Sequence, residues 1–329
     1  MSRRLRWGVV GCGDITNKRV APAIRENPRC ELAAFCSGSK ARAEEFAERH
    51  GAGLAFDNME RFLGAGLDCV YVASRVFEHA GQAVAALGAG AHVLCEKPMA
   101  MNGEECGRMN AAAARANRRL GVAYYRRFYP AWVAAREVAL SGRIGDIVGV
   151  RIWLGSFWDM RPSNPKYWRV QRAYSGGGPL ADVGTHRLDL LVDLLGQPVE
   201  LAAFASCRHH DWDVEDTCAI LMRMACGAYA TAHVCGDTRP PRDEFEIVGV
   251  KGWIHLPQLG DRLVVTGAES REEWTMPLAA NVHAPLVEDF VSAVVDGTPL
   301  RCSGEEGAKT TRILDAAYRS AENGAMVRL

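Results

Sequence analysis

L5-R-W-G-V-V-G-C-G-D-I-T16 is the stretch whose reading decides the fold of this 329-residue chain. Leu5–Val10 reads as a buried strand, Gly11-Cys12-Gly13 as a tight turn, and the residues that follow as a helix running to about Asn27. A strand, a G-x-G turn and a helix in direct succession open a βαβ unit that holds a dinucleotide. The glycines let backbone approach the pyrophosphate, and the helix N-terminus faces its negative charge. Thr16 stands where the pattern places Gly or Ala. Gly11, Gly13, Asp14, Ile15 and Thr16 are therefore candidate cofactor-binding residues.

Strand-like and helix-like segments keep alternating beyond this unit. Residues 31–36, 67–73, 91–95 and 121–125 read as strands, and 79–87 and 103–118 as helices. Such alternation predicts an α/β fold, with a doubly wound parallel Rossmann sheet over residues 1–125. Ligands on these sheets bind beyond the C-terminal ends of the strands. The ends at issue are Ser74-Arg75, with His79 just after; Glu96-Lys97-Pro98; and Tyr125-Arg126-Arg127-Phe128. Lys97, between an acid and a proline at the end of a buried strand, points into the cofactor crevice.

The second strand does not end in the acid that would hold the ribose 2′-hydroxyl of NAD. It ends in S37-G-S-K-A-R42. Hydroxyls followed by Lys40 and Arg42 suit a 2′-phosphate, where each charge-assisted hydrogen bond contributes roughly 1.5–3 kcal/mol. The same residues would also serve as a polar turn opening a helix. Ser37 and Arg42 lead to NADP as the expected cofactor, with NAD as the alternative.

After residue 128 the pattern changes. Runs at 147–154, 200–205, 218–224, 228–233, 243–248 and 252–256 alternate as half-buried strands and predict an open, mainly antiparallel sheet in a second domain, 126–329. A helix at 130–141 is expected to pack against the first domain. Two helices, 284–295 and 304–322, close the chain, and the last is expected to return to the first domain.

G176-GGPLADVGTHRLDLLVDLLG196 reads as one helix over 179–195, with Pro in its first turn and Gly past its end. On a wheel of 100° per residue, Asp182, His186, Asp189 and Asp193 fall at about 0°, 40°, −20° and 20°. Leucines and valines fill the other side, and Arg187 points away at about 140°. A carboxylate and an imidazole one turn apart can converge on a ligand; the alternative is a solvated polar face. Asp189 is placed facing substrate or just behind the residues that do, and Asp193 against solvent or a neighbouring loop. The loop at 158–169 holds Trp158, Trp168 and Arg169 and is a candidate substrate wall; the alternative is a packed surface loop. His209-His210-Asp211-Trp212-Asp213 resembles metal ligands only superficially, so no metal is expected.

Lys plus Arg and Asp plus Glu number 39 each, so no net charge draws the chain to nucleic acid or to an anionic membrane. No apolar run approaches the ~18 residues of a membrane span. Arg3-Arg4 is not followed by a signal-peptide core, so a cytoplasmic protein is expected. Eleven cysteines without a C-x-x-C pair, most in apolar runs, read as buried free thiols.

G11-C-G-D-I-T, E96-K-P, Y125-R-R-F and G176-G-G-x-L-x-D182-x-G-x-H186-x-x-D189, in this order, resemble the glucose–fructose oxidoreductase / inositol dehydrogenase / MocA (Gfo/Idh/MocA) family. A43-E-E-F-A-E-R-H-G, E215-D-T, I247-V-G-V-K-G and D289-F-V-S-A-V-V-D-G match as well. The resemblance implies an NAD(P)-dependent oxidoreductase of sugars, cyclitols and related polyols or ketones, with Lys97, Asp182 and His186 as catalytic residues. It also implies a homo-dimer or homo-tetramer built through the second domain's sheet. Ser74, Arg75, His79, Glu96 and Lys97 would line the cofactor, and Tyr125, Arg127, Trp168, Arg169 and Asp189 the substrate. Ser74-Arg75-Val76 departs from the family's usual Thr-Pro-Asn, which bears on cofactor geometry or substrate charge. Competing readings are an NADP(H)-binding sensor without turnover, redox-neutral use of bound nicotinamide, and a metal-dependent lyase built on Asp182, His186 and Asp189.

Overall fold

The computed structural model describes residues 3–329. They divide into two compact units, 1–125 with 279–308, and 126–278 with 309–329. The division at Tyr125 is therefore joined by a second one: segment 279–308 belongs with the first unit.

The first unit is built on six parallel strands, β1 (Leu5–Val10), β2 (Cys30–Cys36), β3 (Leu54–Phe56), β4 (Cys69–Val72), β5 (His92–Cys95) and β6 (Leu120–Val122), in the order β3-β2-β1-β4-β5-β6. Order reverses between β1 and β4, and Gly11 lies at that point. β3 adds an edge strand to those expected, so the Ser74-Arg75 end belongs to the fourth strand, not the third. β6 stops at Val122, and Tyr125–Phe128 forms a short 3-10 turn instead of ending the strand. The returning helix Ala284–Val295 packs Phe290 on Trp7, ring centroids 5.5 Å apart. Arg29 anchors it further through Glu288 and Asp296.

The second unit carries nine strands. β7 (Ile147–Phe157), β8 (Pro198–Ser206), β9 (Thr217–Met224), β10 (Tyr229–Cys235), β11 (Asp237–Gly249), β12 (Gly252–Pro257), β13 (Arg262–Gly267), β14 (Arg271–Thr275) and β15 (Val327–Arg328) lie in the order β14-β13-β12-β11-β7-β10-β9-β8-β15. Every pairing is antiparallel except β7 with β10. Burial alternates along β9, where every second residue is buried. The helix Pro130–Leu140, expected against the first domain, packs on β12 and β13 of its own sheet. Its Trp132 also lies edge-on to Phe245 of β11. No helix among the described residues is long and apolar enough to cross a membrane.

Candidate active site

In the first unit, helical backbone begins at Asp14, directly after the glycine turn. Gly11 has φ +98°, and a Cβ there would collide with the carbonyl of Ala73. Only glycine fits. Gly13 faces open space, with nothing within 4 Å of a built Cβ, so backbone amides and helix N-terminus stand accessible to a phosphate. Thr16 is fully buried and donates its hydroxyl to the Gly11 carbonyl at 2.6 Å. It braces the turn, which corrects its reading as a cofactor contact. Arg42 donates Nε to the Cys12 carbonyl at 2.8 Å, bringing its guanidinium to the same turn. Ser39 caps the helix Lys40–His50, and Lys40 is spent on the carbonyl of Ala55. The chain's own residues thus fit a dinucleotide at this rim.

At the end of β5, Lys97 is half-buried. Glu96, expected at the cofactor, turns inward instead. Its carboxylate accepts from the Tyr71 hydroxyl at 2.9 Å and from the Lys97 amide at 3.2 Å. Buried His283 lies 3.5 Å away, and Tyr125 stacks on that imidazole with centroids 4.6 Å apart. Burial alone would raise the Glu96 proton affinity, but His283, Lys97 and Tyr71 together hold it below the usual carboxylate range. Glu96 therefore braces the strand end that presents Lys97. His79 is likewise corrected: its Nδ1 lies 3.1 Å from the Pro98 carbonyl and its Nε2 3.2 Å from that of Ser74. It ties two strand ends together from within. Ser74 donates to Gln82, and Arg75 stands at the N-cap of the following helix, its amide donating to Glu78 at 3.3 Å.

In the second unit, the predicted helix is continuous but not uniform. It begins as a wide π-turn, Leu180–Gly184, and becomes α over Thr185–Leu195. Asp182 is bound by Arg169, whose guanidinium also lies 5.0 Å over the Trp158 ring. Trp158 is buried with Val170, Trp212 and Val214, so this part of the 158–169 loop is packed, while Trp168 is half-buried. His186 is buried one turn beyond Asp182. Arg187 turns to Asp243 on β11, with Nε 3.1 Å from its carboxylate.

The remainder of the polar stripe is not a substrate surface. Arg127 and Asp189 form a two-point ion pair at 2.9 and 2.6 Å, with side chains 2% and 1% exposed. Asp193, expected against solvent or a neighbouring loop, is half-buried; it accepts from Trp132 Nε1 at 2.8 Å, lies 3.5 Å from Arg127, and offers its carbonyl to Arg136. Buried carboxylates need such partners, which explains both corrections. Asp189 is thus committed to Arg127 and offers no lone carboxylate to a metal. His210 stacks on Trp212 instead of forming a ligand set. Among the described residues, the one cluster with metal-ligand spacing is Glu244, Glu246 and His255 on the exposed sheet face, where Arg242 and Arg151 already hold the two glutamates.

Sequence reasoning missed Tyr71, His283, Asp243 and Trp132. Each lies far along the chain from the group it holds and belongs to no local motif, so no signal pointed to it.

Residues 5–124 match the oxidoreductase family with an NAD-binding Rossmann fold, and residues 132–255 match the GFO/IDH/MocA C-terminal domain. The chain is 30% identical to 1,5-anhydro-D-fructose reductase of Ensifer adhaerens over 330 residues, covering 97% of each. It superposes on the aldose-aldose oxidoreductase of Caulobacter crescentus, crystallised with glycerol, with a TM-score of 0.90 at 26% identity, over 99% of this chain and 100% of that one. A levoglucosan dehydrogenase in complex with NADH and L-sorbose superposes with a TM-score of 0.89 at 25% identity, over 99% and 98%. With its glycine turn, its E-K-P strand end and its Asp–His helix, the chain belongs to the GFO/IDH/MocA family of oxidoreductases.

Proposed function

We propose that this oxidoreductase uses NADP(H) in preference to NAD(H) and acts on a carbinol or carbonyl carbon of a sugar, cyclitol or related polyol or ketone. The observation that carries the reading is the Asp182–His186 pair, one turn apart on a helix whose other charged groups are consumed by Arg127, Arg136 and Asp243. Bound nicotinamide supplies the hydride acceptor or donor. His186 exchanges the proton of the reacting hydroxyl, a task suited to an imidazole near neutrality. Lys97 donates to the reacting oxygen and stabilises developing alkoxide charge. Asp182, braced by Arg169, accepts from a neighbouring substrate hydroxyl and orients it. The anhydrofructose reductase and levoglucosan dehydrogenase likenesses support a sugar-like substrate. A panel of sugars, cyclitols and keto-sugars assayed with both cofactors tests it; turnover of none would sink it.

The NADP preference rests on Arg42 and Ser37 at the rim of β2, where no acid ends the strand. Asp57 beside Cys36 favours NAD as the second reading, its charge adding to the burial that pushes the Cys36 thiol up to about 11. Arg42→Ala is expected to weaken NADPH binding by about 10-fold or more, the worth of one charge-assisted contact, and to leave NADH nearly unchanged. Fluorescence titration reads both; equal losses would transfer the preference to NAD. Eleven free thiols support a reducing compartment such as the cytoplasm.

A second copy of the chain is proposed to cover the open sheet face. Phe204 (81% exposed), Tyr229 (56%) and Leu221 (52%) stand there beside Trp253 and Val248, and Arg151 pairs with Glu246 across β7 and β11. A patch of this kind marks an association surface. Introducing Phe204→Glu with Leu221→Glu is expected to halve the mass in solution by light scattering; an unchanged mass would place the interface elsewhere.

A further inference from the structure

The Asp–His helix begins with a conspicuous device that the proposed chemistry does not use. Pro179 lacks an N–H, and no side chain within the helix caps its first turn. The cap comes from Glu215, at the entrance to β9. Its Oε2 accepts from the Gly178 amide at 2.9 Å and its Oε1 from the Leu180 amide at 2.9 Å. Tyr318, on the helix Gly304–Asn323, donates its hydroxyl to Oε1 at 3.1 Å. Glu215 is 4% exposed.

Two glycines of the run explain how these groups come so close. A Cβ on Gly177 would collide with the Tyr318 hydroxyl, and one on Gly178 with the carbonyl of Glu215. The next residue, Asp216, is fixed as well; its carboxylate accepts from the amides of Arg208 and His209 at 2.7 and 2.8 Å. Gly236 closes the other side, where a side chain would meet the Pro179 ring.

Burying a carboxylate is costly, and an exposed Ser or Asn would satisfy one helix amide without that cost. Burial pushes the Glu215 proton affinity up, and the two amides and Tyr318 draw it back. What the carboxylate adds is two-point geometry: it grips the backbone on both sides of Pro179. From that grip, Asp182 is two residues on from Leu180 and His186 six, within the same helix.

We infer that Glu215, steadied by Tyr318, is a positioning residue that fixes where Asp182 and His186 stand. The inference rests on the hydride-transfer reading above. Glu215→Gln keeps the shape but turns an NH2 toward one of the two amides, so one grip is lost. Its kcat is expected to fall about 10- to 100-fold, the cost of displacing reacting groups by a fraction of an ångström to an ångström. NADPH affinity is expected to stay unchanged, because the glycine turn that would hold it belongs to the other unit. Tyr318→Phe keeps both amide bonds and is expected to lose about 2- to 10-fold. The double variant is expected to be no worse than Glu215→Gln alone, since Tyr318 acts through Glu215.

Hydrogen exchange at the Gly178 and Leu180 amides gives a readout independent of turnover, and is expected to accelerate about 10-fold or more in Glu215→Gln. Wild-type kcat in Glu215→Gln, or kcat lost together with NADPH binding and global protection, would overturn the inference. A wild-type chain that turns over no carbonyl substrate removes the hydride-transfer reading, and the exchange rates then decide the grip alone: faster exchange supports it, unchanged exchange overturns it.

Discussion

His186→Ala is expected to lower kcat by about 10²- to 10⁴-fold while NADPH binding stays close to wild type. The size follows from losing a positioned proton donor and acceptor in the transition state. The specificity follows from its neighbours, which have other work. Arg187 is held by Asp243, Asp189 by Arg127, and Asp182 by Arg169. No adjacent group on the helix is placed to take over the proton. Stopped-flow measurement of hydride transfer, with and without added imidazole, checks this. Partial recovery with imidazole is expected, and full activity without His186 would remove it from the role.

The second large effect is on stability. Arg127→Met is expected to destabilise the chain by about 3–5 kcal/mol, because it leaves the Asp189 carboxylate buried without its partner. Asp193 would retain Trp132 and Arg136 but lose part of its surrounding positive charge. Replacing both partners, Arg127→Met with Asp189→Leu, removes the stranded charge and is expected to recover most of the loss. Denaturant unfolding followed by fluorescence reads both. If the pair instead bound substrate, Arg127→Met would fold normally and raise KM. A loss below about 1 kcal/mol with a raised KM would restore the substrate role to these residues.

Local patterns carried much of the architecture. The β1–glycine–helix unit, the helix Ala284–Val295 and the alternating strands β7 to β12 could be read from periodicity and turn residues, but the return to the first unit was expected of the last helix, whose residues from 309 on belong to the second. Of the strands that escaped, β13 lies inside its sheet, and the others are edge pieces. β3 is three residues long, β15 two, and β14 reads R-E-E-W-T, charged as edge strands often are. At the site, the wheel grouped Asp182, His186, Asp189 and Asp193 correctly by angle. Angle alone does not say what faces that side. Arg127, Trp132 and Arg136 lie about 60 residues earlier and turn the lower stripe into core. Glu96 and His79 show the same limit: residues inside a ligand-like motif can hold the backbone instead.

The return of segment 279–308 to the first unit has a consequence for how the chain is made. Trp7 receives Phe290, Arg29 receives Glu288 and Asp296, and the Val122 amide receives the Cys302 carbonyl, all from that segment. A ribosome that has emitted the first 125 residues has released six strands whose covering helix does not yet exist. The dinucleotide-binding unit is first to be translated, yet it is completed only after most of the second unit has emerged. During the interval its exposed Trp7 face must wait for more than 150 further residues, which makes that face the natural client of a chaperone.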